Sequence, residues 1–115
     1  MPPHAKASAN IDPTAWIIER RMNNCLYVFV YDVVRDSKRE KIADLLGASL
    51  VRVQKSVFEG RLPPASARKL AHRAARHLGP DDSLRAYAVT TDGLAASLAF
   101  GGGAPLPEAH DFLLF

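Results

Sequence analysis

The chain is poor in the residues that staple small proteins together or load them with cofactors. It has one cysteine, one tryptophan and two methionines in 115 residues. Cys25 alone can close no internal disulfide and cannot build a multi-thiolate metal site. A reducing cytoplasm is the compartment this implies. No apolar run approaches the roughly 20 residues needed to span a bilayer, which argues against a membrane protein. The start, Met1-Pro2-Pro3-His4, lacks the basic region and following apolar stretch of a secretory signal. The four histidines, His4, His72, His77 and His110, show no metal-ligand spacing. No Ser-His-Asp or Cys-His arrangement is legible, and no internal repeat is evident. The run Gly101-Gly102-Gly103 lacks the Lys-Ser/Thr and strand-helix context of a phosphate loop, so it reads as a linker.

What is present describes an ordinary globular domain. Hydrophobic residues make up 48% and charged residues 23%, which excludes disorder throughout. The length suits one domain. A core this small buries limited surface, and such domains often gain stability by pairing. The formal net charge is only +3, but it is unevenly spread. Residues 35–76 hold eleven Lys and Arg against four acids, a net of +7, while the flanks together are −4. A basic middle between acidic ends suits a polyanion such as nucleic acid, or else a pair of solvated helix faces.

Residues 1–21 carry no long periodicity and are expected to be an extension, with one helical turn around Ala15–Arg21 after Pro13. Met22 is a candidate original start. A core domain over 22–100 follows. Cys25–Val33 is dense in β-branched and aromatic residues and reads as a strand covered on both faces. Asp36-Ser37 opens a helix with Ser37 and Glu40 as a capping box, Ile42, Leu45 and Leu46 as its buried stripe, and Gly47 as its end. Between Leu50 and Gly60 the alternation changes phase near Gln54–Ser56, giving one kinked strand or two short ones. After Pro63-Pro64 a second helix runs to His77. Ala67, Leu70, Ala71, Ala74, Ala75 and Leu78 form its apolar side, and Arg68, Lys69, His72, Arg73 and Arg76 the opposite one. Ser83–Thr91 reads as a strand, Asp92-Gly93 as a hairpin turn and Leu94–Phe100 as the partner strand. Residues 101–115 are a Gly-rich linker and an apolar tail, Asp111–Phe115. This order predicts an α+β fold with two helices on one face of a sheet, for which the ferredoxin-like βαββαβ sandwich is the simplest template.

Asp32 is the outlier of the first strand, because a carboxylate there costs free energy unless it is paired, hydrated or metal-bound. It either serves a site at the strand end, or caps the following turn, or pairs with Arg35 or Arg39. One aspartate makes a poor Mg²⁺ site, whereas a two-fold dimer placing Asp32 beside its mate supplies two carboxylates. Phe58 either stacks a base, plugs an interface or packs in the core, and Tyr31 has the same ambiguity. Cys25 reads as a buried small hydrophobe.

Tyr27-Val28-Phe29-Val30-Tyr31-Asp32-Val33, then Ser37-Lys38-Arg39 opening a helix, then Arg52-Val53-Gln54-Lys55-Ser56-Val57-Phe58-Glu59-Gly60, resembles the Cas-two family of small CRISPR-associated proteins. Asp82-Ser83-Leu84-Arg85-Ala86-Tyr87 is similar to that family's penultimate core strand. The resemblance implies a ferredoxin-like homodimer whose extra C-terminal strand, for which Asp111–Phe115 is the candidate, pairs with the other subunit. It implies a divalent metal, Mg²⁺ or Mn²⁺, bound by Asp32 with its dimer mate. Of the remaining catalytic candidates, Tyr31 flanks that site, Arg39 and Arg52 match basic positions linked to activity, and Phe58 matches the aromatic. Lys41 stands where some members have Arg. Two functions are thereby expected. One is a metal-dependent endonuclease acting on single-stranded RNA or DNA. The other is a non-catalytic adaptor in spacer acquisition that binds DNA through Arg68, Lys69, Arg73 and Arg76 and docks the Cas-one integrase. A generic RNA-binding domain of the same fold is disfavoured, because Tyr27–Tyr31 lacks the glycine-containing ribonucleoprotein pattern.

Overall fold

The computed structural model describes residues 25–108. The N-terminal extension, its helical turn, Met22 and the tail Asp111–Phe115 lie outside the described residues. The chain runs β1 (Cys25–Asp32), α1 (Asp36–Gly47), β2 (Val51–Gln54), β3 (Val57–Leu62), α2 (Pro64–Ala75), β4 (Ser83–Val89) and α3 (Thr91–Ala95). The four strands form one sheet in the order β2-β3-β1-β4, with every neighbouring pair antiparallel. This is the ferredoxin-like α+β arrangement expected from the element order.

Side chains alternate across a strand, and β1 shows how that alternation is used. Phe29 and Tyr31 join Phe58 of β3, Ile42 and Leu46 of α1 and Ala67, Leu70 and Ala74 of α2 in a single core. Leu26 faces the other way and is covered by Leu94 of α3, with Val89 packed alongside. Farther along that second face the cover ends: Val30 is 36% exposed and Asp32 is exposed. The expectation of a strand covered on both faces is therefore corrected. α1 and α2 lie on one side and the short α3 covers only the start of the other, so the apolar run of β1 is enclosed by this chain on the first side and only at its start on the second.

Two short strands, not one kinked strand, occupy 50–62. A tight turn at Lys55-Ser56 joins them, and a register shift between Arg52 and Gln54 accounts for the broken alternation. Gly60 lies against Leu50: a Cβ there would meet Leu50 Cδ2 at 2.8 Å, so that side chain would have to shift.

The helix ends differ from expectation. α1 begins at Asp36 with Arg35 in the N-cap position and no side-chain cap, so the Ser37/Glu40 capping box does not form. Asp36 supplies a negative charge to the first turn and pairs with Arg39 instead. α2 starts with Pro64 in its first turn and ends at Ala75, two residues before His77. The expected hairpin at Asp92-Gly93 is the third correction. Thr90 caps a short helix by accepting from the Gly93 N–H at 3.0 Å, and Leu94 turns inward onto Leu26. Leu94–Phe100 consequently forms no strand, and Gly101 and Gly103 have φ of 85° and 100° in the irregular segment beyond.

Candidate functional site

The end of β1 sends adjacent residues to opposite sides of the sheet. Tyr31 points toward the helices and is 4% exposed, whereas Asp32 lies on the uncovered face. The candidates named from the sequence therefore fall into two groups.

The first group surrounds the Lys55-Ser56 turn. The Lys55 carbonyl accepts from Arg52 Nε at 3.1 Å, from Arg52 Nη2 at 2.6 Å and from the Tyr31 hydroxyl at 3.4 Å. The Tyr31 N–H donates to the Ser56 carbonyl at 3.1 Å. Because Arg52 and Phe58 are register partners, they share a face, and the guanidinium carbon sits 5.3 Å above the Phe58 ring. Tyr31 and Phe58 rings stack with centroids 6.2 Å apart. Phe58 is 2% exposed and takes its place in the core. A cleft of about 260 Å³ opens beside this turn, lined on one wall by Asp36, Arg39, Glu40 and Asp44 of α1 and on the other by Arg52 and Lys55.

Arg39 belongs to the wall of that cleft, but its terminal donors are directed to groups of this chain. Nη1 donates to the Val33 and Val34 carbonyls, each at 2.8 Å, and Nη2 pairs with the Asp36 carboxylate.

Asp32 is apart from all of these. Among the described residues its carboxylate makes no hydrogen bond or ion pair, so neither Arg35 nor Arg39 neutralises it. Across the sheet it stands opposite Ser83, and two register steps back Val30 stands between Val57 and Arg85. Val28 is opposite Tyr87, and on β2 Val51 reaches the same face through its partner Glu59. Val51 and Tyr87 are 58% and 49% exposed. The uncovered face thus joins an unpaired carboxylate to exposed apolar side chains and to Arg85, which donates to the Tyr87 hydroxyl at 2.9 Å. That hydrogen bond stabilises the charged guanidinium and pushes the Arg85 pKa up.

Sequence reasoning quoted Arg85, Tyr87 and Asp82 only as part of a core-strand motif and gave none of them a role. The alternation of β4 places Arg85 and Tyr87 on one face and could have located the first two. Asp82 could not be found that way, because its partners are backbone N–H groups on two separate loops. It accepts from the Val34 N–H at 2.9 Å and from the Gly79 N–H at 2.6 Å.

The remaining candidates are surface groups. Arg68, Lys69, Arg73 and Arg76 are exposed at α2 and its C-cap, and α2 contains no acidic residue. Cys25 is buried, and burial pushes its thiol pKa up, which disfavours the nucleophilic thiolate. Tyr27 is raised first by burial and then by Cys25, with Arg68 acting in the opposite direction. No group of three or more His, Cys, Asp or Glu capable of holding a metal occurs among the described residues. No helix among them is long and apolar enough to cross a membrane.

Comparison with known proteins places this geometry. The family model for CRISPR associated protein Cas2 matches residues 25–95, from the start of β1 to the end of α3. The chain belongs to the Cas2 family. A CRISPR-associated endonuclease Cas2 of Thermus thermophilus is 38% identical over 91 residues, covering 78% of this chain and 96% of that protein. A CRISPR-associated endoribonuclease Cas2 of Synechocystis sp. is 39% identical over 90 residues, covering 76% and 96%. A Cas1/Cas2 endonuclease fusion of Thermoproteus tenax is 48% identical over 50 residues, which is 43% of this chain and 19% of the fusion. The crystal structure of a hypothetical protein from Thermus thermophilus superposes with a TM-score of 0.61 at 39% identity, covering 73% of this chain and 98% of that one. A chain of a partial Cas6-RT-Cas1–Cas2 complex superposes at 0.60 with 29% identity, covering 72% and 94%. The Cas2 match ends with α3, so residues 96–108 lie beyond it.

Proposed function

We propose that this Cas2-family chain serves CRISPR adaptation as a homodimeric, metal-dependent endonuclease in which Asp32 of each copy contributes to one cation site. The observation that carries the reading is the unpaired, exposed Asp32 carboxylate at the rim of an uncovered sheet face bearing Val30, Val51 and Tyr87. A second copy seated on that face would bury the apolar side chains and bring two carboxylates together. The donor set suits Mg²⁺ or Mn²⁺ better in that form, since two Asp32 carboxylates replace one and water completes the shell. When bound, the cation supplies positive charge to a phosphate oxygen and acidifies water. Asp32 contributes the oxygen ligands and the negative charge that such an ion requires. Arg85, on the same face, offers a permanent cation for a phosphodiester substrate, oriented by its hydrogen bond to Tyr87. Tyr31, Arg52 and Phe58 support the site from behind by fixing the Lys55-Ser56 turn and the interior side of β1. Relatives named as endonucleases and endoribonucleases support the phosphodiesterase reading, with single-stranded RNA or DNA as the substrate class. The test is cleavage of single-stranded RNA and of DNA with and without Mg²⁺, by wild type and by Asp32→Asn. The Asn variant keeps the size of the side chain and removes the charge. Loss of Mg²⁺-dependent cleavage in a folded variant is expected, and full activity in Asp32→Asn would sink the catalytic assignment.

A second reading is favoured by α2. Its Arg68, Lys69, Arg73 and Arg76 form an exposed cationic surface with no acid on the helix, which suits contact with DNA phosphates without sequence readout. Partnership with the Cas1 integrase is supported by the Thermoproteus fusion and by the Cas6-RT-Cas1–Cas2 complex. In this reading the chain is an adaptor between integrase and DNA. Each lost phosphate contact reduces the slope of log affinity against log salt by about one unit. Neutralising Arg68 and Arg73 is therefore expected to flatten duplex binding by about two units, and an unchanged slope would mark α2 as merely solvated.

A further inference from the structure

We infer that Arg39 and Asp82 are positioning residues that clamp the two residues after Asp32 from opposite sides, fixing the end of β1 and with it the direction of the Asp32 carboxylate. The inference rests on the reading of Asp32 as the cation-holding residue.

The ladder with β4 ends at the Asp32–Ser83 pair. Beyond it Val33-Val34-Arg35 belongs to no strand or helix: the Val33 side chain packs in the core, whereas Val34 is 68% exposed and has no side-chain packing to hold it. Here the Arg35 carbonyl accepts from the Lys38 and Arg39 N–H groups of α1, and the Val33 and Val34 carbonyls and the Val34 N–H are taken up by two side chains. Arg39, one turn into α1, sends both Nη1 hydrogens to the Val33 and Val34 carbonyls. Its other terminal nitrogen is anchored by Asp36. On the amide side, Asp82 accepts from Val34 with one oxygen and from Gly79 with the other, tying the β1 exit to the turn that follows α2. Val34 is thus held through its carbonyl by α1 and through its N–H by the approach to β4.

The chemistry at both positions is specific. Asp82 faces two N–H donors and needs two acceptor oxygens, which a carboxylate has and an amide does not. The same two donors hold its carboxyl below the usual carboxylate range, Val34 first and Gly79 second, with Lys38 adding to them. Gly79 allows the approach, since a Cβ there would lie 3.2 Å from Asp82 Oδ2 and 3.4 Å from Lys38 Nζ. Arg39 needs a planar fork that meets two carbonyls and a carboxylate together, which a lysine ammonium cannot reproduce. An arginine whose Nη1 hydrogens are both spent on the backbone beside Asp32 acts through Asp32, not on the substrate.

The experiment compares the full chain with Asp82→Ala, Asp82→Asn, Arg39→Gln and Arg39→Lys at a temperature where all remain folded by circular dichroism. Amide hydrogen exchange and Mn²⁺ binding are the two readouts. In Asp82→Ala, exchange at Val34 and Gly79 is expected to accelerate at least ~10-fold while Leu26–Val30 keep wild-type protection. The Mn²⁺ dissociation constant is expected to rise about 10-fold, as for removal of a group that orients a ligand. Asp82→Asn, with one acceptor left, falls between, and Arg39→Lys recovers little over Arg39→Gln. Uniform loss of protection along β1 would overturn the inference by making the pair a general stabiliser. So would loosening at Val34 with unchanged Mn²⁺ affinity. If wild type binds no Mn²⁺, or Asp32→Asn binds it as tightly, the cation reading of Asp32 fails by itself. The exchange pattern then decides: loosening confined to residues 32–35 and 79 upholds the clamp, and its absence overturns it.

Discussion

The two faces of the sheet are built from alternate residues of the same strands and do different work. On the helix-covered face every polar candidate is engaged: Tyr31 and Arg52 hold the Lys55 carbonyl, and Arg52 lies over a buried Phe58. On the uncovered face Asp32 is unpaired among the described residues, and Val30, Val51 and Tyr87 stand exposed around the centre. Tyr31 and Asp32 are neighbours in sequence and are separated by the thickness of the sheet. Conformational security lies on one side and unspent chemistry on the other. A residue's presence in the Tyr-Asp or Arg-Val-Gln motif therefore does not say which of the two it supplies.

The largest effect should separate the faces by stability alone. Phe58→Ala empties a site at the centre of the core and should cost about 3–5 kcal/mol in urea unfolding. Tyr87→Ala removes an aromatic of similar size from the open face and should cost roughly 0.5 kcal/mol at low protein concentration. If a second copy covers that face, the Tyr87→Ala cost grows as protein concentration rises, whereas the Phe58→Ala difference does not. Equal costs for the two at every concentration would break the comparison.

A smaller effect is expected at Arg52. Arg52→Gln loses the cation over Phe58 and weakens the grip on the Lys55 carbonyl, so about 1–2 kcal/mol should be lost. The proposed metal-dependent cleavage, measured per folded molecule, should survive, because Arg52 faces away from Asp32. A cleavage defect much larger than the stability loss would move Arg52 to the chemical side of the comparison.

Much of this fold is legible in the sequence. The apolar density of Cys25–Val33 locates β1 to within one residue of its end, the helical spacing of Ala67, Leu70 and Ala74 marks α2, and the broken alternation at Gln54–Ser56 marks the break while leaving open one kinked strand or two, because local period and turn chemistry carry that information. Period two also groups Val28, Val30 and Asp32 on one face, but it cannot say whether the chain covers that face. Both faces of β1 are apolar, so the strand reads as buried on both sides when this chain covers the second only at its start. Asp92-Gly93 misleads for a local reason: the pair suits a hairpin turn, while Thr90 before it and Leu94 after it suit a capped helix with a buried residue. Burial of Leu94 on Leu26 favours the helix. The clamp is the least legible part. Asp82 acts on backbone groups 48 and 3 residues away, and backbone partners leave no trace in side-chain patterns.

The smallest expected effect tests whether the β1 exit is fastened by a charge. Asp82 is held below the usual carboxylate range by the Val34 and Gly79 N–H groups, with burial opposing and Lys38 assisting. A carboxyl whose folded pKa is depressed binds its proton more readily in the unfolded chain. Its contribution is therefore complete above the ordinary value of 3.8 and is lost as pH falls through the lower folded value. Asp82→Asn cannot titrate. The unfolding midpoint of wild type should thus exceed that of Asp82→Asn at neutral pH by an amount that stays constant down to the ordinary carboxylate range. Below it the gap should narrow, because protonated Asp82 keeps, like Asn, one good acceptor for two donors. Because the group is solvent-accessible, the gap should also shrink in high salt to the extent that Lys38 contributes, and persist to the extent that the two N–H groups do. A gap that is independent of pH between neutral and strongly acid conditions would mean that residue 82 acts by shape and not by charge.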